Sequence, residues 1–152
     1  MSLLNPPVAS ENRPNAMKYT VIAITLAVII GGWLMFRYYP EKRAVDHFFE
    51  ALVSGDTNQA YQLWKPSSSY KLNDFVADWG PNGYYGPVKS YEILRAAAKK
   101  ESNGITINVA VSPFSPMPGA NDPEKSRRTK TISLWVDPES KAISFSPNSA
   151  DE

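Results

Sequence analysis

From Tyr19 to Phe36 the chain reads YTVIAITLAVIIGGWLMF, an unbroken apolar run in which only threonines and glycines interrupt the large side chains and no residue is charged. At about 1.5 Å per residue, a helix over this run is roughly 27 Å long, close to the hydrocarbon thickness of a bilayer. The pattern therefore predicts a transmembrane helix over 19–39, with Tyr38 and Tyr39 extending it. Its aliphatic side chains favour insertion by about 3 to 5 kcal/mol in total. Lys18 and Arg37 bracket the span, and Tyr19, Trp33, Tyr38 and Tyr39 stand where interfacial aromatics are expected. Signal peptides have shorter apolar cores that end in small residues, whereas this run ends in Trp33-Leu34-Met35-Phe36-Arg37, so an uncleaved anchor is expected.

Beyond the span the period changes. Ala44, Val45, Phe48, Phe49, Leu52 and Val53 recur on one helical face, opposite Lys42, Arg43, Asp46, His47 and Glu50. Pro40 suits the first turn of this helix, Glu41 suits its positive dipole end, and Gly55 suits its close. Asp56, with Gln59 three residues later, predicts the start of a second helix that Pro66 stops. A third short helix is predicted around Leu72 to Trp79, with Phe75, Val76 and Trp79 on one side and Gly80-Pro81 ending it.

Alternation then takes over. Tyr91 and Ile93, then Ile105, Ile107, Val109 and Val111, then Ile132, Leu134 and Val136, and finally Ile143 and Phe145 mark four half-buried strands. Asn103-Gly104 and Asp137-Pro138-Glu139-Ser140 are turn sequences between them, and the stretch from Pro113 to Arg128 reads as a long, mobile connection. Helices first and a meander afterwards predict an α+β domain over 40–147, with two to three helices packed on a curved antiparallel sheet of about four strands. Residues 1–18 and 148–152 read as disordered tails, and the acidic end from Ser146 as frayed.

The run VDHFFEALVSGDTNQAYQLW, Val45 to Trp64, resembles the opening helices of nuclear-transport-factor-2-like domains, and especially the small membrane-anchored bacterial versions. The resemblance implies a cystatin-like cone in which a curved sheet wraps a long helix. Some members are isomerases or dehydratases that use an Asp or His base and a Tyr or Asp oxyanion donor inside the cone. Others are non-catalytic binding modules.

Charge and candidate chemistry narrow this choice. The chain carries 16 Lys and Arg against 15 Asp and Glu. The signs also balance beyond the span, so no field is expected to gather nucleic acid. The inward strand positions Ile105, Ile107, Val109, Val111, Ile132, Leu134 and Val136 carry no ionisable group. Asp74 and Asp78 lie one turn apart on a polar helix face, and His47, the single histidine, sits between Asp46 and Glu50 on another. With no cysteine, no metal site or cofactor is expected. The expectation is a non-catalytic binding or interaction domain, possibly an accessory subunit of a membrane complex, with an isomerase- or dehydratase-type enzyme acting on a small apolar substrate as the alternative.

Four features are candidates for contact with partners. Tyr84 and Tyr85, in WGPNGYYGP, stand where they can rim a groove, although core capping is the plainer expectation. Leu94 and Trp135 are expected on the outer sheet face with Ala96, Ala98 and Ala110, as an apolar patch for a second copy or a protein partner. Ala23, Ala27 and Gly31, spaced by four, form a small-residue stripe suited to helix pairing in the bilayer. Lys125, Arg127, Arg128 and Lys130 form a basic cluster able to meet anionic headgroups at about 1 kcal/mol per charge, diluted by Asp122 and Glu124, so that a solvated loop is favoured. A small apolar ligand remains compatible with the fold. Positive charges flank both ends of the span, and a short basic tail before one span and a large domain is the layout that places the domain outside the cytoplasm.

Overall fold

The computed structural model describes residues 15–64, 69–98 and 103–146. The chain divides into two units, 1–37 and 38–152. The first contains one helix, α1 (Ala16–Phe36). With 21 residues it is about 31 Å long, and its length and apolarity suffice to cross a membrane. The Thr25 hydroxyl donates to the Val21 carbonyl at 2.9 Å, so the polar group is satisfied within the helix. Helix α1 starts earlier than expected, since Ala16, Met17 and Lys18 are helical, and it ends at Phe36, not at Tyr39. Residues 1–14 and 147–152, where tails were expected, lie outside the described residues.

The second unit is α+β. Helix α2 (Tyr39–Ser54) has Pro40 and Glu41 in its first turn and buries Val45, Phe48 and Phe49 as its periodicity predicts, while Ala51, not on the expected face, is buried too and Val53, expected on it, is exposed at the helix end. It closes at Gly55, whose φ of 82° lies in the left-handed region, so its amide turns back to the Ala51 and Leu52 carbonyls. The chain is redirected at once. The Asp56 carboxylate accepts the Gln59 amide at 2.9 Å and starts α3 (Thr57–Trp64), which buries Ala60 and Trp64. Helix α4 (Leu72–Trp79) begins where Asp74 accepts the Lys71 amide at 2.9 Å. It buries Phe75 and Trp79. Val76, expected beside them, is 42 % exposed, because the buried stripe of so short a helix is a single turn wide.

Strands β1 (Ser90–Ala98), β2 (Ile105–Ser112), β3 (Lys130–Val136) and β4 (Ile143–Phe145) form one antiparallel meander in chain order. Ile105, Ile107, Val109 and Val111 of β2 and Ile132, Leu134 and Val136 of β3 are buried on one face, against the helices. Phe48 lies centrally, its ring 5.1 to 6.1 Å from those of Phe49, Trp64, Phe75 and Trp79. Phe49 stacks on Tyr91 of β1 at 5.0 Å, and Trp79 stacks on Phe145 of β4 at 5.8 Å. Helix α2 is thereby tied to one edge of the sheet and α4 to the other. Ser146, expected to fray, is buried, and its amide donates to the Ser133 carbonyl at 3.0 Å.

One register detail reverses an expectation. Ile93 pairs with Val109 and Arg95 with Asn108, so Leu94 is an extra residue in a β-bulge. Beyond the bulge the faces of β1 exchange. Ala96 and Ala98 stand opposite Ile107 and Ile105, and Ala96 packs against the core instead of joining an outer patch. The connection from Pro113 to Thr129 is more ordered than its composition predicts. It contains a single helical turn, α5 (Pro123–Ser126), where the Asp122 carboxylate accepts the Lys125 amide.

Candidate functional site

The loop carrying α5 and the turn before β1 form the walls of a cleft of about 330 Å³, bounded by Tyr85, Val111, Pro113, Arg127, Arg128 and Lys130. Each wall follows from local sequence. Trp79 ends α4, and the Tyr84 and Tyr85 amides return to the Ala77 and Asp78 carbonyls, folding 80–87 back over the helix end. Tyr85 then packs on Trp79 at 4.9 Å and on Phe145 at 5.5 Å, while Tyr84 remains 67 % exposed. The two neighbouring tyrosines thus divide the roles proposed for them. Tyr85 caps the core and lines the cleft, and Tyr84 stands at its edge.

Opposite them, the basic residues are held by aromatic faces. The Lys130 ammonium lies 3.9 Å from the centre of the Tyr84 ring and donates to the Tyr84 carbonyl. The Arg128 guanidinium lies over Phe114 at 5.1 Å, and Lys125 lies over the same ring at 5.8 Å. Each exposed contact of this kind is worth about 0.5 to 1 kcal/mol, enough to orient a cation without neutralising it. Asp122, at the start of α5, pairs with Lys125 at 2.8 Å, and this hydrogen bond lowers its pKa. Neither Asp122 nor Glu124 lines the cleft. Three basic residues therefore line it, with no carboxylate among its walls. A second cleft of about 510 Å³, on the far side of Pro113, takes in Lys89, Phe114, Asp122 and Lys125.

The other candidates fall elsewhere. Leu94 is 52 % exposed at the bulge. Trp135 is half-buried and pairs with Thr106 and Ser144 on the outer sheet face. Its indole covers Gly104, where an added Cβ would lie 1.9 Å from the indole nitrogen. A one-piece apolar patch is not assembled, since Ala96 faces inward and Ala110 is already buried. Ala23, Ala27 and Gly31 are exposed along one side of α1, and a Cβ on Gly31 would meet open space.

Two tyrosine–carboxylate pairs were not anticipated. The Tyr70 hydroxyl donates to Asp78 at 2.6 Å, and the Tyr91 hydroxyl donates to Asp46. Burial first, and then the hydrogen bond to the carboxylate, raises both phenol pKa values well above the ordinary range. Asp74 and Asp78 are not paired with each other, since one serves the start of α4 and the other Tyr70. His47 pairs with Glu50 at 3.2 Å on the exposed side of α2. Among the described residues, no three His, Asp or Glu side chains gather as a metal site.

Comparison of the chain with known protein families, curated proteins and solved structures returned no match.

Proposed function

We propose that the chain is a single-pass membrane protein whose α1 anchors a non-catalytic binding domain. The observation that carries this reading is where two clefts lie among the described residues. The face of the sheet turned to the helices is filled by Phe48, Phe75, Trp79 and the aliphatic rows of β2 and β3, while the clefts around Pro113 lie at the rim. Rim clefts with charged walls suit capture of a ligand or partner better than chemistry that needs water excluded. The helices-then-meander order and α2 lying against the sheet support membership of the nuclear-transport-factor-2-like group as a proposal for the fold. The layout of tail, span and domain supports an extracytoplasmic domain, with a protein partner or a second copy engaged through α1 or the Leu94 and Trp135 surface.

The Tyr91–Asp46 pair is the observation that favours the alternative isomerase- or dehydratase-type reading, because it couples a neutral hydroxyl to a carboxylate next to the core. Its hydroxyl is committed to Asp46, however, and Phe49 covers the ring. Fractionation tests the main reading. The full chain should resist carbonate extraction and be recovered with a partner or a second copy after crosslinking in intact membranes. Release by carbonate sinks the anchor, and a lone chain under crosslinking sinks the interaction role.

A further inference from the structure

Like charges gathered at one place repel, and they are retained without compensation where something else supplies the opposite sign. Arg127, Arg128 and Lys130 line one cleft, although the 16 Lys and Arg of the chain nearly balance its 15 Asp and Glu. Their surroundings preserve the charge. Lys130 is held by the ring and carbonyl of Tyr84, and Arg128 by the ring of Phe114, contacts that direct a cation but leave its remaining donors unused. The Arg127 guanidinium makes no hydrogen bond, ion pair or ring contact with any described residue. Of the two acids in the loop, Asp122 is taken by Lys125, and neither it nor Glu124 lines the cleft. Tyr85 adds a neutral phenol to the same wall, and its hydroxyl has no hydrogen-bond partner among the described residues.

We propose that this cleft binds a phosphate group carried on an organic moiety. Resting on the binding-domain reading, this names the ligand chemistry of its rim site. A carboxylate offers two oxygens and a single charge, whereas a phosphate offers three or more acceptors and up to about two charges, the better match to three cations and a phenol. Arg127 supplies the forked donors that grip two oxygens, Arg128 and Lys130 add charge, and Pro113 and the Tyr85 ring give the organic part an apolar wall. Two sources carry this chemistry, an anionic phospholipid headgroup and a free phosphate compound, and the two arms of the test distinguish them.

The test uses the full chain in nanodiscs, with the thermal midpoint of the domain read by tryptophan fluorescence. One arm titrates inorganic phosphate at constant ionic strength into phosphatidylcholine discs. The other replaces part of that lipid with phosphatidylglycerol, without added phosphate. A saturable rise in midpoint with phosphate identifies a free phosphate, a rise only in phosphatidylglycerol discs identifies a headgroup, and a rise in both supports the shared chemistry. Arg127→Gln, which removes no contact of the folded domain, should weaken the response about tenfold, and Arg95→Gln on exposed β1 should not change it. No response in either arm overturns the site, as does an equal response from Arg127→Gln, which is the mark of general anion stabilisation. Carbonate extraction of the same preparation separates the two readings. A chain that stays in the membrane yet shows neither response keeps the anchored-domain reading and loses this site, and a released chain that still responds to phosphate does the reverse.

Discussion

The Lys141 ammonium lies 2.6 Å from a carboxylate oxygen of Glu41, joining residues one hundred positions apart at the start of α2 and in the turn between β3 and β4. The Glu41 side chain is 8 % exposed and that of Lys141 36 %. Lys141 adopts a φ of 56°, a conformation that is unfavourable for a side-chain-bearing residue, and its ammonium also donates to the Pro138 carbonyl. The second Glu41 oxygen is buried without a hydrogen-bond partner among the described residues, so the carboxylate depends on this single lysine and the helix dipole. Lys141→Met should therefore cost about 2 kcal/mol, less than for a fully buried pair because the lysine is partly solvated. Adding Glu41→Gln to that variant should recover part of the loss. Urea midpoints of the single and double variants measure both, and a loss from Lys141→Met no larger than that of a surface substitution would contradict the pairing.

The second unit carries its own core, so a fragment over 38–146 should be soluble and unfold in one cooperative transition. Within it, Phe48→Ala removes the ring on which four other aromatics converge and should cost about 3 to 5 kcal/mol by denaturant titration. A molten fragment, or a loss below about 1 kcal/mol, would contradict the described core.

Alkaline pH should expose the two tyrosine–carboxylate pairs. Tyr70 and Tyr91 stay protonated in the fold beyond the pH of about 10 at which unfolded tyrosines ionise. The native state then holds more protons than the unfolded state, so the stabilisation is intact below that pH and is lost as pH rises through the folded values. Tyr70→Phe and Tyr91→Phe should each flatten the alkaline limb of stability against pH. Phenolate absorbance should show Tyr70 and Tyr91, with Tyr85, ionising late in the wild-type domain, and an early titration of all tyrosines would exclude the two pairs.

Gly104 and Trp135 share one volume on the outer sheet face. Gly104→Ala should displace the indole, shift its fluorescence toward that of solvated tryptophan and cost about 1 to 3 kcal/mol. Trp135→Phe should be nearly neutral, because the indole N–H is buried without a partner and its removal sacrifices no hydrogen bond. A large loss from Trp135→Phe would mean that the nitrogen is bonded after all.

In the bilayer, Ala27→Leu and Gly31→Leu should weaken crosslinking between α1 and a neighbouring helix, since bulk on that side prevents close approach. Val21→Leu and Ile29→Leu, away from it, should leave the yield unchanged. Equal yields from all four variants would reduce α1 to a tether.

Local signals carried much of this structure and failed where distant residues decide. Helix α2, the turn at Gly55, the Asp56 start of α3, the span of α4 and the inward rows of β2 and β3 all lie where spacing and capping chemistry put them, because each is set within a few residues. The inward turn of Ala96 was not legible, since the bulge at Leu94 exists only through the register with β2. The Glu41–Lys141 pair leaves no periodic trace. Nor does the cleft, for Tyr84 and Lys130 are 46 residues apart and each reads alone as an ordinary surface residue. The basic cluster was visible as composition, and only the fold shows that Arg128 and Lys130 lie on aromatic rings while Lys125 takes Asp122.

Strand β1 lies at the margin of the sheet, nine residues long and with only Glu92 and Arg95 charged, the kind of strand on which another chain can grow. The extra residue at Leu94 breaks its ladder midway and bends it, so no straight partner can follow it along its length. Deleting Leu94 would leave Ile93 and Arg95 adjacent, already matched to Val109 and Asn108, and would make the strand continuous without moving a side chain to the wrong face. Such a domain should fold and then polymerise. A single surplus leucine thus separates a sheet margin that ends the domain from one that would template the next copy.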